Sequence, residues 1–230
     1  MLAQPRAIRL DREHLRKHRI VAFDKNDAST GVFDVLRTKV LRLMEARGWR
    51  SLAITSPIPG AGKTVVSINL AISIAQRAEK SVLLVDFDFR RPKVAPILGI
   101  PAGISLNELV EGKAKTAEAL VSPELPRLLV LPTNSPVPNS SEVLCSQRIT
   151  QLVENLHECY ADHLLVFDLP PLLNVDDAFG ILPQIDCVLL VVGDGMSSRA
   201  EIEDCARLIP EAKLLGVVLN KADVPITAYY

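Results

Sequence analysis

The stretch Ser51-Leu52-Ala53-Ile54-Thr55-Ser56-Pro57-Ile58-Pro59-Gly60-Ala61-Gly62-Lys63-Thr64 constrains this chain more than any other. An apolar run enters a turn rich in proline and glycine, and a helical pattern over Thr64–Gln76 opens at once. The rhythm then repeats. Apolar runs predict strands at Ser51–Thr55, Ser81–Val85, Leu128–Leu131, Leu164–Phe167, Cys187–Val192 and Leu214–Leu219. Between them, spacings of three and four predict helices at about Ser105–Glu111, Gln147–Tyr160, about Asp176–Leu182 and Arg199–Ile209, with another over Phe33–Met44 before the first strand. Strands that alternate with such helices imply right-handed crossovers, and therefore a mostly parallel sheet with helices on both faces. The expected class is α/β, in three layers. A hydrophobic content of 48% and a mean hydropathy of +0.22 agree, because strands covered on both faces carry continuous apolar runs.

The chain's 230 residues suffice for one large domain. Residues 1–29 read as a basic irregular leader, 30–224 as the domain, and 225–230 as a short tail holding Tyr229 and Tyr230. The leader carries Arg6, Arg9, Arg12, Arg16, Lys17 and Arg19, a bias that suits either a solvated tail or contact with anionic lipid or an acidic partner. A formal charge of -1 gives no bulk attraction for nucleic acid, and none is expected as a partner. No stretch approaches the apolar length of a membrane span, so a cytoplasmic location is expected. Cys145, Cys159, Cys187 and Cys205 form no Cys-x-x-Cys pair and read as ordinary thiols of a reducing compartment.

In open α/β sheets, ligands bind beyond the C-terminal ends of the strands, where the polar residues of this chain collect. The first group is the glycine-rich turn. The general phosphate-binding motif is Gly-x-x-x-x-Gly-Lys-Ser/Thr; here Ser56 replaces the first glycine, while Gly60, Gly62, Lys63 and Thr64 are present. The turn Pro59-Gly60-Ala61-Gly62-Lys63-Thr64-Val65, with successive N–H groups from Gly60 onward, and the helix N-terminus would cradle an anion, Lys63 would reach the β and γ phosphates, and Thr64 would ligate Mg²⁺. The second group is Asp86-Phe87-Asp88-Phe89-Arg90-Arg91-Pro92. Carboxylates beside a triphosphate need Mg²⁺ to offset their repulsion, and one of them could instead take a proton from an attacking hydroxyl. Arg90 and Arg91 could contact phosphate or a partner's acidic surface. The third, Leu164-Leu165-Val166-Phe167-Asp168-Leu169-Pro170-Pro171, ends an apolar strand on an acid able to hold Mg²⁺. At the end of the last strand, Asn220 could hydrogen-bond a purine base.

Together these segments resemble the cytoplasmic domain of the bacterial tyrosine kinases of capsule and exopolysaccharide systems, a branch of the deviant Walker A P-loop ATPases. The likeness runs from about residue 31 onward and includes Pro138-Asn139-Ser140-Ser141-Glu142-Val143-Leu144, Val175-Asp176-Asp177-Ala178 and Gly216-Val217-Val218-Leu219-Asn220. Septum-site and partitioning ATPases carry a signature lysine where this chain reads Ser56, Pro57 and Ile58, which favours the kinase branch. The resemblance implies a P-loop NTPase fold, ATP and Mg²⁺ as cofactors, and exopolysaccharide synthesis or export as the process controlled. It implies Asp86 and Asp88 as Mg²⁺ ligands that also prepare a tyrosine hydroxyl, and Asp168 as a further Mg²⁺ ligand. Tyr229 and Tyr230 would be acceptors, phosphorylated in trans after self-association. A transmembrane chain-length or co-polymerase protein would be the activator, recruiting the chain to the inner face of the membrane. The family's Glu-x-x-Arg-x-x-Arg subunit motif reads Gly31, Asp34 and Arg37 here, so one arginine remains of it. An ATPase switch and a nucleotide-binding scaffold stand as the alternatives.

Overall fold

A computed structural model describes residues 4–27, 29–77, 80–173, 180–210 and 213–223. The Val175-Asp176-Asp177-Ala178 match, most of the helix expected at about Asp176–Leu182, and Tyr229 and Tyr230 lie outside the described residues. Strands β1 (Arg6–Ile8), β2 (Ser51–Thr55), β3 (Ser81–Asp86), β4 (Val121–Pro123), β5 (Leu128–Leu131), β6 (His163–Asp168), β7 (Cys187–Gly193) and β8 (Leu214–Asn220) form one sheet. Their order is β1-β4-β5-β3-β6-β2-β7-β8. Neighbours are parallel except β4 with β5.

Alternation along the strands divides the apolar residues between two cores. Leu52, Ile54, Val82 and Leu84 face one, where helices α2 (Thr30–Glu45), α3 (Lys63–Arg77) and α4 (Val94–Leu98) pack. Ala53, Leu83 and Val85 face the other, with α5 (Leu106–Val110), α8 (Gln147–Cys159) and α9 (Arg199–Leu208). Short helices α6 (Thr116–Ala119) and α7 (Ser140–Leu144) complete the chain between β3 and β6. The three-layer α/β/α arrangement follows from that alternation.

The leader is not irregular. It contributes β1, which pairs with β4 at one sheet edge, and helix α1 (Arg12–Lys17), whose N-cap Asp11 accepts a bond from the Glu13 N–H at 2.8 Å. Leu15, Ile20 and Ala22 are buried against the core of α2 and α3. Asn69 of α3 holds the strap: its Oδ1 accepts the Val21 and Ala22 N–H groups at 2.8 and 3.0 Å, and its Nδ2 donates to the Arg19 and Val65 carbonyls. Three apolar anchors scattered among cations have no periodicity to read, which is why the segment looked like a tail. Arg9, Arg16 and Lys17 face Glu124, Asp24 and Glu13, so much of the leader's positive charge meets carboxylates of its own chain.

Arg37, the arginine left from the family's subunit motif, is also turned inward. It donates to Asp34 Oδ1 at 2.7 Å and Ser73 Oγ at 3.0 Å, joining α2 to α3. No helix among the described residues is long and apolar enough to cross a membrane.

Cys187 and Cys205 are buried, and burial pushes each thiol up to about 12. A thiol-specific alkylating agent at about pH 8 is therefore expected to modify Cys145 and Cys159, both exposed, and to leave Cys187 and Cys205 unmodified until the protein unfolds. Peptide mass spectrometry before and after denaturation reads this; early labelling of either buried thiol would contradict the packing.

Candidate active site

The strand order brings β3, β6 and β2 side by side. Asp86 and Asp168, each ending its strand, are direct partners in the β3–β6 register, and Ile54 of β2 pairs with Asp168. The glycine-rich turn leaves β2 at this same edge and returns as α3. Three separate sequence segments thus meet at one point because parallel strands all end there.

Gly60 and Gly62 have φ of +84° and +93°, conformations that side chains rarely adopt. Gly62 is confined in space as well, since a Cβ there would lie 2.2 Å from Asn220 Nδ2. That nitrogen donates to the Ala61 carbonyl at 2.8 Å, so Asn220 ties the end of β8 to the turn. Ser56, in the place of the first glycine, donates to the Ile58 carbonyl at 2.8 Å, while its own carbonyl accepts the Leu172 N–H at 2.9 Å. The turn is therefore braced from β8 and from the segment after β6. Gly62→Ala is expected to destabilise the protein by about 1–3 kcal/mol, through left-handed strain and displacement of Asn220. Nucleotide affinity should fall with it. Thermal melting and a binding titration check both, and wild-type values in the variant would contradict the bracing.

Behind the turn lies a buried charge cluster. Lys63 Nζ donates to Asp88 Oδ2 at 2.7 Å and lies 3.6 Å from Asp168 Oδ2. Thr64 Oγ1 donates to Asp168 Oδ2 at 2.7 Å, and Ser67 Oγ donates to Asp168 Oδ1 at 3.0 Å. Asp86 is set differently. Its Oδ1 accepts the Asp88 N–H at 3.2 Å, and its Oδ2 accepts the N–H groups of Lys93 and Val94, at 3.2 and 3.0 Å, where α4 begins. Asp86 thereby anchors the loop, and Asp88 is the acid of that motif that lines the cleft.

One ammonium faces three carboxylates, and the pKa directions follow. Burial raises the Asp86 carboxyl well above its usual range, and the negative charge of Asp168 raises it further. Asp168 is raised by burial too, partly offset by Lys63 and the Thr64 hydroxyl. For Lys63 burial acts downward, but Asp168 and Asp88 outweigh it and hold the ammonium above its ordinary value. A divalent cation would relieve this excess of negative charge. The donors are carboxylate and hydroxyl oxygens, the set that suits Mg²⁺. Among the described residues no three acidic, His or Cys side chains form a closed cage.

In front of the cluster opens a cleft of about 500 Å³. Its lining comes from the glycine turn and the start of α3 (Pro59, Gly60, Gly62, Lys63, Thr64, Val65), from the segment after β3 (Asp88, Arg90, Arg91, Lys93 and Ile97) and from Pro170 and Pro171 after β6. Arg90 also reaches out of it, donating to Ser141 Oγ at 3.1 Å. The expected residues Lys63, Thr64, Asp86, Asp88 and Asp168 thus come together, with Arg90 at the rim. Asn220 arrives with its amide nitrogen engaged on the turn. Sequence reading missed Ser67, although its place one turn after Thr64 on the same helix face was a usable signal.

Residues 52–228 match the family model of the CobQ/CobB/MinD/ParA nucleotide-binding domain. The chain is 33% identical over 181 residues to the tyrosine-protein kinase CpsD of Streptococcus pneumoniae serotype 4, covering 77% of this chain and 78% of that one. The crystal structure of the chimerical protein CapA2B2 superimposes with a TM-score of 0.80 at 29% identity, covering 96% of this chain and 95% of that one. The kinase domain of the Escherichia coli tyrosine kinase ETK gives 0.79 at 28% identity, over 92% and 84% respectively.

Proposed function

This chain belongs to the CobQ/CobB/MinD/ParA nucleotide-binding family and, within it, to the bacterial tyrosine-protein kinases, and from that premise we propose that it transfers the γ-phosphoryl of ATP to a tyrosine hydroxyl. The observation that carries the reading is the cluster of Lys63, Thr64, Asp88 and Asp168 behind a glycine turn whose two left-handed residues are both glycine. When bound, Mg²⁺ neutralises charge on the β and γ phosphoryl oxygens. Thr64 and Asp168 are the residues that would hold it.

The turn and the N-terminus of α3 bind and orient the phosphates. Lys63 leaves Asp88 for the developing charge on the transferred group, where an already positioned cation costs little reorganisation. That movement frees Asp88 Oδ2 to accept the proton of the incoming hydroxyl. Asp88 is the better candidate base because both oxygens of Asp86 are held by backbone N–H groups. Arg90, which lines the cleft, would meet phosphate or acceptor.

The acceptors in this reading are Tyr229 and Tyr230 of a second copy, met in trans after self-association. The process served is exopolysaccharide synthesis or export. The chain works in the cytoplasm, brought to the inner membrane face by a transmembrane chain-length protein, as the resemblance to capsule-system kinases implies.

Incubation with γ-labelled ATP and Mg²⁺ separates the readings. Label in phosphotyrosine is the expected result. Free phosphate alone would make the chain an ATPase switch, and neither product, with ATP still bound, would make it a scaffold; both contradict the proposal.

A further inference from the structure

The Asp168 carboxylate is bracketed by two hydroxyls from one face of α3. Thr64 Oγ1 donates to Oδ2 at 2.7 Å, and Ser67 Oγ, one turn later, donates to Oδ1 at 3.0 Å. Ser67 and Asp168 are both wholly buried, so no solvent can substitute for either bond. Ser67 Oγ also lies 2.9 Å from the Lys63 carbonyl. One hydroxyl proton cannot serve both acceptors fully. The Lys63 carbonyl, four residues back in the same helix, has the backbone N–H of Ser67 as its regular helical partner, whereas Asp168 Oδ1 has the stronger claim as a buried carboxylate oxygen.

We infer that Ser67 is a positioning residue: it fixes the rotation of the Asp168 carboxylate so that Oδ2 stays turned toward Thr64 and the cleft. This rests on the reading of the cleft as an ATP and Mg²⁺ site. The Thr64 hydroxyl can offer a lone pair to a cation while its proton rests on Asp168 Oδ2, and that geometry holds only while Oδ2 is presented. Without the Ser67 hydroxyl, Oδ1 loses that partner, and the rotation of the carboxylate is set from the Oδ2 side alone, by Thr64 and Lys63. Groups that orient metal ligands in this way commonly alter metal affinity by about 10–100-fold. Ser67 is wholly buried and does not line the cleft, so its removal is expected to change the Mg²⁺ requirement and not the metal-free binding of nucleotide.

The test is Mg²⁺ titration of a fluorescent, non-hydrolysable ATP analogue bound to wild type, Ser67→Ala and Ser67→Thr, with melting curves for each. In Ser67→Ala, Mg²⁺ for half-maximal enhancement should rise by about tenfold, while affinity without Mg²⁺ stays within about twofold of wild type. Ser67→Thr keeps the hydroxyl and should restore the wild-type requirement. If its extra methyl group unfolds the protein, the split between the two affinities in Ser67→Ala decides alone. A Ser67→Ala protein with the wild-type Mg²⁺ requirement would overturn the positioning role and leave the site reading intact. Loss of metal-free and Mg²⁺-dependent binding in parallel would overturn it in favour of helix packing. A wild type whose nucleotide binding ignores Mg²⁺ would overturn the site reading, and this inference with it.

Discussion

Asp168→Asn is expected to lower phosphoryl transfer by at least about a thousandfold while the protein stays folded. The loss is that of a cation ligand at developing phosphoryl charge, worth several kcal/mol, and about 4 kcal/mol corresponds to a thousandfold in rate. The fold survives because asparagine has the same shape, and the Thr64 and Ser67 hydroxyls can reorient to meet an amide. The charge cluster even gains from the change. Burial raises both the Asp86 and the Asp168 carboxyls; the charge of Asp168 adds to the rise at Asp86, and the charge of Asp88 adds to the rise at Asp168.

A carboxyl raised on folding contributes stability that is present below its unfolded value and is lost as pH rises through the folded value. Wild type without nucleotide therefore gives up stability from Asp168 as pH rises above its ordinary carboxyl range. The asparagine variant does not. Melting temperatures at about pH 4, near the ordinary carboxyl value, and at about pH 7, compared between the two proteins, should show the variant favoured more at the higher pH. A variant that is strongly destabilised throughout would mean that Lys63 needs the Asp168 charge to stay buried, and that the site is held together mainly by that pair.

The largest stability effect is expected at Asn69→Ala. Asn69 is wholly buried, and its carboxamide makes four bonds: from the Val21 and Ala22 N–H groups to Oδ1, and from Nδ2 to the Arg19 and Val65 carbonyls. Truncation leaves the Val21 and Ala22 N–H groups and the Arg19 carbonyl without this partner in a place where water cannot reach all of them, while the Val65 carbonyl keeps the Asn69 N–H as its regular helical partner. Each such group costs about 1–3 kcal/mol, so a total of roughly 3 kcal/mol or more is expected. For a chain of this size that is a fall in melting temperature of roughly 10 °C. Hydrogen exchange at residues 19–22 should accelerate before exchange in β2 or β3, because the strap is lost locally first. A loss under about 1 kcal/mol would show that the N-terminal segment is held by Leu15 and Ile20 alone.

The strap illustrates what the sequence could not express. All six expected strands formed, within about one residue at each end; five are written as unbroken apolar runs because the sheet is covered on both faces, while β8 at the sheet edge keeps an apolar run although Val217 and Leu219 are exposed. The phosphate turn and Asp86, Asp88 and Asp168 were legible because parallel strands collect their following residues at one edge. Leu15, Ile20 and Ala22 were not, since single anchors between cations leave no period, and the partner that orders them, Asn69, lies 47 or more residues away. Short elements such as α4 and β4 follow tertiary contacts more than local pattern; α4 begins where Asp86 accepts its first N–H groups. The division of labour between Asp86 and Asp88 also needed the fold. Two acids two residues apart read alike until one is seen held by the backbone and the other on Lys63.

The measurement that bears most directly on the whole account is mass spectrometry of the C-terminal peptide after incubation with ATP and Mg²⁺, for wild type and Lys63→Met. Phosphate on Tyr229 or Tyr230 in the wild type, and none in the variant, is the predicted result. An unmodified tail in a wild type that binds ATP, even with a transmembrane activator of the proposed kind added, or equal phosphorylation in Lys63→Met, would contradict it.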